Sequence, residues 1–211
     1  MVNKSNVLVG VAFLCLGLFI VTINYALAKY LSSDLKIFEI IWARFFGHFI
    51  FLVPLAYYLK GKKGFFNSTT KHQFTRGLFI FFGTAFFYIS ITEIPLPNAL
   101  SLLLVAPIIV VVLSSYMLKE KITLLKIICA LIGFAGTLLV IQPGFTYFNL
   151  YSVYALISGL FYAMYLIYTR KVNFSSDSIV TLSYSTIPGA IIMTLLIPFY
   201  WENIPDLNQV I

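Results

Sequence analysis

Seven long apolar stretches occupy most of this 211-residue chain and constrain its fold more than any other feature. They cover approximately residues 7–28, 37–59, 75–92, 97–118, 124–142, 150–169 and 178–200. Apolar residues make up 61% of the chain and charged residues 10%, whereas a soluble domain has roughly 45–50% and about 25%. A helix crosses the bilayer core with about 20 apolar residues, and the stretches lack the alternation of membrane β-strands. The sequence therefore predicts an all-α, polytopic membrane helical bundle.

The distribution of basic residues predicts the orientation of these spans, because Lys and Arg in short loops stay on the cytoplasmic side. With the N-terminus inside, eleven basic residues fall inside and two, Lys29 and Lys36, fall outside. The eleven are Lys4, Lys60, Lys62, Lys63, Lys71, Arg76, Lys119, Lys121, Lys126, Arg170 and Lys171. We therefore expect a multi-pass protein of the cytoplasmic (inner) membrane. Its net charge of +7 is explained by topology and by anionic membrane lipid, without a nucleic-acid partner.

The first span also has the outline of a signal peptide, because a small-x-small triplet, Ala26-Leu27-Ala28, follows its apolar run. That run is about 20 residues long, whereas a signal peptide has an apolar region of about 7–15 residues. We therefore interpret the span as a retained helix. This interpretation agrees with a repeat within the chain that pairs the first span with an internal one.

The repeat relates the first two apolar stretches to the last two by an offset of 142 residues. The offset places Gly17-Leu18-Phe19 on Gly159-Leu160-Phe161, Lys29 on Lys171, Ser33 on Ser175, Ile37 on Ile179, Gly47 on Gly189 and Tyr58 on Tyr200. The first copy holds five spans and ends near Pro143-Gly144, so the second copy begins on the other side of the membrane, as in inverted-repeat transporters. We predict a first repeat over 1–144 and a partial second repeat over 145–211. Three further spans would complete the second copy, which suggests a truncated or partial chain.

An ordered set of residues carries a resemblance to a known family. The set is Arg44, Arg76-Gly77, Pro97 through Ser101, Pro107, Leu118-Lys119-Glu120-Lys121, Gly133, Gly136 and Pro143-Gly144. The chain resembles the EamA-type drug/metabolite transporter superfamily, and most of all its bacterial S-adenosylmethionine-uptake-like branch. The resemblance implies ten spans in two inverted five-helix halves. It also implies secondary, non-ATP transport of a small metabolite through a central cavity by alternating access.

Arg44 is the charged residue placed most deeply in a predicted span. It lies seven residues into the second span, roughly 10 Å below the outer boundary of the bilayer core. An arginine near a span centre costs about 2.5–3.5 kcal/mol on insertion scales, so it needs an interior partner or a wet cavity. We predict that Arg44 binds an acidic substrate group and that His48, one turn deeper, lies beside it. The alternative is that Arg44 snorkels outward or pairs with Glu39 or Glu93, and that His48 is an ordinary interior histidine.

Three more polar residues are candidate substrate ligands: Asn24 in the first span, and Asn98 and Ser101 in the fourth. Pro107 cannot donate a backbone hydrogen bond to the carbonyl of Leu103, so it predicts a kink in the fourth span. A kinked helix carrying Asn98 and Ser101 is a plausible wall of a cavity and a gating element. Equally, many membrane helices contain a proline kink and bind nothing.

Two further residue pairs complete the candidates. Tyr162 and Tyr165 share one face of the sixth span and are predicted to stack on a planar or cationic substrate, although such rings more often pack helices. Gly133 and Gly136 form a small-residue patch on the fifth span that predicts close approach of another helix.

The chemistry that the sequence lacks narrows the function further. It contains no paired carboxylates, metal-spaced His/Cys cluster or phosphate-binding glycine loop, so we expect neither an enzyme nor a metal or cofactor. We predict a facilitator or exchanger of an amino-acid-like or nucleoside-like metabolite. A homodimer is one oligomeric state open to this protein. The alternative function is an accessory or structural membrane subunit, or a channel-like component, without carrier activity of its own.

Overall fold

The computed structural model describes residues 4–66, 68–119, 123–141, 149–172 and 177–200. These residues form eight α-helices and no strand. The helices are α1 (Lys4–Leu31), α2 (Ile37–Phe65), α3 (Thr70–Glu93), α4 (Leu96–Leu103), α5 (Ala106–Met117), α6 (Leu124–Ile141), α7 (Leu150–Val172) and α8 (Ser178–Tyr200). The prediction of an all-helical membrane bundle is confirmed.

Six of the seven predicted spans are helices long and apolar enough to cross a membrane, by length and composition. The fourth of these is α4 and α5 together, over Leu96–Met117. The remaining predicted span corresponds to α6, whose described apolar part, Leu124–Gly136, is shorter. Large apolar side chains point outward along α1, α2 and α6, as expected where helices face lipid tails instead of water.

The fourth span is broken at Leu104 and Val105, between α4 and α5. Pro107 lies in the first turn of α5, where its missing N–H costs nothing, since the first N–H groups of a helix have no intrahelical acceptor. The break thus lies just ahead of the proline, as the sequence predicts. A Cβ on Gly159 of α7 would lie only 3.2 Å from the carbonyl oxygen of Leu103, so α7 approaches the broken segment closely.

A glycine also ends the regular part of α2. Gly61 has φ 63° and ψ 179°, a conformation open to glycine and strained for residues with a Cβ. The helix axis therefore changes direction directly after Lys60, close to the predicted end of the second span at residue 59. One further turn follows and ends at Phe65.

The core of the bundle lies between α2 and α3 on one side and α7 and α8 on the other. Small residues bring these helices together. The hydroxyl of Ser158 on α7 donates to the carbonyl of Gly83 on α3 at 2.6 Å. On α8, a Cβ at Gly189 would lie 2.4 Å from an atom of the Phe45 ring, so only glycine fits there.

Direct contacts fix the relative directions of the helices. Asn24 and Lys29 of α1 meet Tyr88 and Ile91 of α3 in the same order, so α1 and α3 are parallel. By contrast, α3 and α7 are antiparallel, because Gly83 meets Ser158 and Arg76 meets Thr169. The bundle has two ends, which we call the basic end, where α2 ends and α3 begins, and the opposite end, where α1 ends and α2 begins.

The glycines of α6 lie outside this core. Gly133 and Gly136 are exposed, and a Cβ added to either would meet no atom within 4 Å. The close helix approach that the sequence predicts there is therefore not made by any described residue. It stays a prediction about residues or chains beyond those described.

Candidate functional site

Arg44 lies in the interior of the bundle and joins three helices. Its Nη1 donates to Asn24 Oδ1 of α1 at 2.5 Å and to the Tyr88 hydroxyl of α3 at 2.5 Å. The Tyr88 hydroxyl in turn donates to Asn24 Oδ1 at 2.8 Å. We call these three residues the Arg44 cluster. Sequence analysis selected Arg44 and Asn24 separately, and the structure brings them together.

Aromatic rings surround the charged end of Arg44. The guanidinium carbon lies 5.4 Å from the centre of the Tyr88 ring and 5.9 Å from that of Tyr25. Tyr25 also packs on Phe87, with ring centres 4.7 Å apart. A guanidinium within about 6 Å of an aromatic ring is stabilised by the electrons of the ring face. The cluster therefore holds the cation in place without neutralising its charge.

No carboxylate pairs with Arg44 in the described part of the chain. Glu39 lies in the first turn of α2 and Glu93 at the end of α3, but the side-chain bonds of Arg44 go to Asn24 and Tyr88 instead. Both bonds leave from Nη1, whereas a bidentate carboxylate needs two parallel N–H groups. An interior cation with neutral partners and spare donors is chemically suited to an anionic ligand.

His48 lies one turn further along α2, where it is exposed but close enough to Arg44 to bond its backbone. The two candidates on α4 lie apart from this cluster. On α4, the Ser101 hydroxyl is buried and donates to the carbonyl of Asn98 at 2.7 Å. Among the described residues, no hydrogen bond or ring contact links either α4 residue to Arg44. These residues remain candidates only through their position near the broken span.

Tyr162 and Tyr165 do share a face of α7, with nearly parallel rings 5.8 Å apart and 25° between their planes. Tyr162 packs against a small cluster of Ala106, Val110 and Ala163. The Tyr165 ring lies over the second interior arginine, Arg76, with its centre 5.0 Å from the guanidinium carbon. The clustered phenylalanines of α3 pack helices instead, as shown by Phe86 stacked on Phe161 at 5.7 Å.

Arg76 lies deeper in the bundle than its position in the sequence indicated. We counted it among the basic residues of the inner side, at the opening of the predicted third span, and it is only 2% exposed. Its Nη1 donates to the Thr169 hydroxyl at 3.3 Å, and Nη2 donates to the Thr181 carbonyl and the Ser185 hydroxyl. Its guanidinium carbon lies 5.0 Å from the centre of the Tyr165 ring. The physical reason is that α3 begins at Thr70, five residues before the predicted start, so Arg76 lies inside the bundle.

An ion pair lies on the surface of the basic end. Lys60 of α2 pairs with Asp177, which directly precedes α8. The hydrogen bond from Lys60 holds the pKa of the Asp177 carboxyl below its usual value. The pair is solvent-exposed, so it contributes little to stability by itself, but it marks where α2 and α8 meet.

An apolar groove of about 320 Å³ lies elsewhere, between α2 and α8. Its lining residues are Phe46, Phe49, Ala190, Ile191, Thr194 and Leu195. None of them carries a charge, so the groove lacks a group that would recognise an anionic substrate. Across the described ranges, no group of three or more His, Cys, Asp or Glu side chains is arranged to hold a metal ion. The Arg44 cluster is therefore the best candidate for a polar binding site.

Comparison with known proteins identifies the family. Residues 8–142 match the EamA-like transporter family, which is more than half of the chain. The chain belongs to this family. Membership of the EamA-like family agrees with the resemblance stated from the sequence, and with a multi-pass membrane protein that is not an enzyme.

Proteins similar to the chain include uptake transporters from Rickettsia. The chain is 28% identical over 192 residues to the S-adenosylmethionine uptake transporter of Rickettsia prowazekii (strain Madrid E), covering 91% of this chain and 65% of that protein. It is 28% identical over 194 residues to the transporter of the same name from Rickettsia felis, covering 92% and 66%. The chain thus spans 65% to 66% of the length of these relatives. No solved structure matches it.

Proposed function

We propose that this protein carries a small zwitterionic metabolite of the S-adenosylmethionine type across the cytoplasmic membrane, by alternating access and without ATP. One observation carries the proposal. Arg44 is an interior cation whose described partners, Asn24 and Tyr88, are neutral. The names of the related uptake transporters supply the substrate to test first.

The chemistry of such a metabolite fits the cluster in two ways. Its carboxylate would accept hydrogen bonds from the free donors of Arg44, in the bidentate geometry that guanidinium favours. Its sulfonium cation and planar base would lie against tyrosine rings, which attract cations and stack on flat rings. Tyr25 supplies such a ring beside Arg44, and Tyr162 and Tyr165 supply a stacked pair on α7.

The directions of the helices support alternating access between inverted repeats. α1 is parallel to α3, and α3 is antiparallel to α7. α1 and its repeat partner α7 therefore run in opposite directions, which the inverted-repeat arrangement requires. In this proposal residues 1–144 and 145–211 belong to different repeats, and the substrate binds between them.

The basic end is proposed to be the cytoplasmic end, with the N-terminus inside. Lys60, Lys62, Lys63, Lys71 and Arg170 are all located there, as the positive-inside rule requires. The carboxylates Glu39 and Glu93 lie near the opposite end, so among the described residues no carboxylate lies at mid-membrane depth to carry a proton. We therefore propose a facilitator or exchanger.

The test is uptake of labelled S-adenosylmethionine into proteoliposomes, with the decarboxylated form of the same compound as competitor. We expect the parent compound to compete strongly and the decarboxylated form weakly. Arg44→Gln should raise KM at least about tenfold, since a hydrogen bond to a charged group contributes about 1.5–3 kcal/mol, and should abolish this preference. Arg170→Gln, at an exposed position of the basic end, is the matched control.

Four results would contradict the proposal. Equal competition by both compounds would show that no carboxylate is recognised. Unchanged KM in Arg44→Gln would remove Arg44 from the site. Loss of uptake on dissipating a pH gradient alone would contradict the facilitator or exchanger. Absence of uptake of any metabolite by correctly inserted protein would favour the accessory membrane subunit.

A further inference from the structure

Polar contacts between the first three helices and the last two are concentrated at the basic end. Arg76 reaches Thr169 on α7 and both Thr181 and Ser185 on α8. Beside it, the Gln73 amide donates to the Thr181 hydroxyl at 2.9 Å. Two further contacts lie at the same end: the exposed pair of Lys60 with Asp177, and a buried hydrogen bond from the Tyr184 hydroxyl to the Phe65 carbonyl at 3.2 Å.

Around Arg76 the helices are packed too tightly for anything to pass. A Cβ on the adjacent Gly77 would lie 2.3 Å from the Tyr184 carbonyl oxygen and 2.8 Å from the Pro188 ring. The guanidinium itself is covered by the ring of Tyr165. The α3–α8 seam is therefore closed at this level, and Arg76 lies at its centre.

Toward the opposite end the helices are joined mainly by apolar packing, in a buried cluster that includes Ile41, Phe45 and Met193. The hydrogen bond described there between the same groups of helices runs from Trp42 Nε1 to the Thr194 hydroxyl at 3.2 Å. A ring stack of Phe38 on Tyr200, with centres 4.6 Å apart, lies beyond it. Neither contact covers the Arg44 cluster with a charged group. The two ends of the bundle thus differ in the kind of contact that joins the helices, mainly polar at the basic end and mainly apolar at the other.

We propose that Arg76 is the central residue of a gate that closes the cytoplasmic end of the substrate pathway by joining α3 to α7 and α8. This inference rests on the proposed transport function and deepens it. Arg76 does not contact the substrate in this proposal. It positions α8 against α3, while Arg44 binds the substrate nearer the other end.

The chemistry of the contacts suits a gate that must also open. All described partners of Arg76 are hydroxyls, a backbone carbonyl and an aromatic ring, so no carboxylate locks the closed form. Arg76 Nε and Gln73 Oε1 are buried without a hydrogen-bond partner, which disfavours the closed form. When α8 moves away from α3, water can solvate the guanidinium and both of these atoms. The closed and open forms are thereby kept close in free energy, as a transport cycle needs.

Thiol accessibility tests the gate without requiring transport. Thr84 on α3 is 7% exposed and lies between Arg76 and Tyr88, about 12 Å along the helix from Arg76. A Thr84→Cys reporter is introduced after Cys15→Ser and Cys129→Ser remove the native thiols, which are exposed. An impermeant maleimide is then applied to inside-out vesicles, where the reagent reaches the cytoplasmic face.

We expect Arg76→Gln to increase the labelling rate of the reporter about tenfold or more, because removing a hydrogen bond to a charged group shifts an equilibrium by at least that factor. In right-side-out vesicles the same substitution should decrease labelling. Lys71→Gln removes an exposed charge from the first turn of α3 and should change neither labelling rate. Arg76→Lys should give an intermediate rate, since lysine keeps the charge but cannot make the forked contacts.

A second variant tests the same contacts in case Arg76→Gln fails to fold. Thr169→Val together with Ser185→Ala removes two partners and leaves the arginine in place, and it should also raise labelling from the inside. Unchanged labelling in both variants would overturn the gate, even if uptake of S-adenosylmethionine is normal. Increased labelling without any uptake would keep the gate and overturn the substrate proposal.

Discussion

Tyr88 contacts Arg44 in two ways at once: its hydroxyl accepts a hydrogen bond from Nη1 at 2.5 Å, and its ring lies 5.4 Å from the guanidinium carbon. The same hydroxyl donates to Asn24. Tyr88 is 1% exposed, so this geometry is fixed by the packing of α3. It orients an arginine whose remaining donors are available to a ligand.

The first prediction concerns that hydroxyl. Tyr88→Phe keeps the ring and removes the hydrogen bond to a charged group, which contributes about 1.5–3 kcal/mol. We expect an increase in KM for uptake with near-normal membrane abundance, because Arg44 keeps Asn24 but is less firmly oriented. Uptake kinetics at matched protein levels are the measurement. Tyr30→Phe, at an exposed position of α1, is the control, and an equal effect in both variants would argue against a role in orientation.

The second prediction concerns the α3–α8 seam. Gly77→Ala would place a Cβ 2.3 Å from a backbone carbonyl oxygen of α8, and a backbone atom cannot move aside as a flexible side chain can. We expect a loss of about 1–3 kcal/mol of unfolding free energy, the usual cost of overpacking. Unfolding in detergent micelles, followed by tryptophan fluorescence, measures it.

Gly136→Ala is the matched control for that experiment. Its Cβ would meet no described atom within 4 Å, and alanine is favoured over glycine in a helix by up to about 1 kcal/mol. Stability should therefore be unchanged or slightly higher. A large loss instead would support the sequence prediction that Gly133 and Gly136 receive another helix.

The third prediction concerns pH. Asp177 has a pKa below its ordinary value because Lys60 donates to it. A lowered folded-state pKa stabilises the fold above the unfolded-state pKa, near 3.9, and this stabilisation is lost as pH falls through the folded-state pKa. We expect the stability difference between wild type and Asp177→Asn to be constant from about pH 5 to 8 and to disappear in more acidic solution.

Thermal unfolding in micelles across that pH range provides the measurement for Asp177. The effect should be small and should decrease with salt, because the pair is exposed and screened. Asp34→Asn, in the exposed turn after α1, is the control variant. A difference between wild type and Asp177→Asn that grows on acidification would contradict the sign given above.

The fourth prediction concerns the break between α4 and α5. Pro107 is exposed, so replacing it with alanine removes little packing. Pro107→Ala restores the N–H that can donate to the Leu103 carbonyl, which favours a continuous helix. We expect a lower maximal uptake rate at unchanged abundance if the break is a moving element. Pro54→Ala, at an exposed proline within α2, should leave uptake unchanged, and equal rates in all three proteins would leave Pro107 with a packing role only.

Sequence alone was sufficient for the class of fold, because the cost of placing polar groups in lipid forces long apolar helices. It was also sufficient to select Arg44, since an arginine deep in a span needs an interior partner wherever the other helices lie. The break near Pro107 followed from the backbone limits of proline, and the end of the second span near residue 59 followed from the length of its apolar stretch. These are local constraints, and they act within one helix.

The partners of the two interior arginines were decided by the tertiary structure. Tyr88 lies 44 residues from Arg44, and the three residues bonded to Arg76 lie 93 to 109 residues from it. Hydropathy reports how a residue partitions between water and lipid, but it does not report which helix covers it. Hydropathy therefore placed Arg76 only at the opening of the third span, and the structure showed that α7 and α8 enclose it. The sequence determined which helices form and where a charge is costly, and the packing of those helices decided which side chains compensate it.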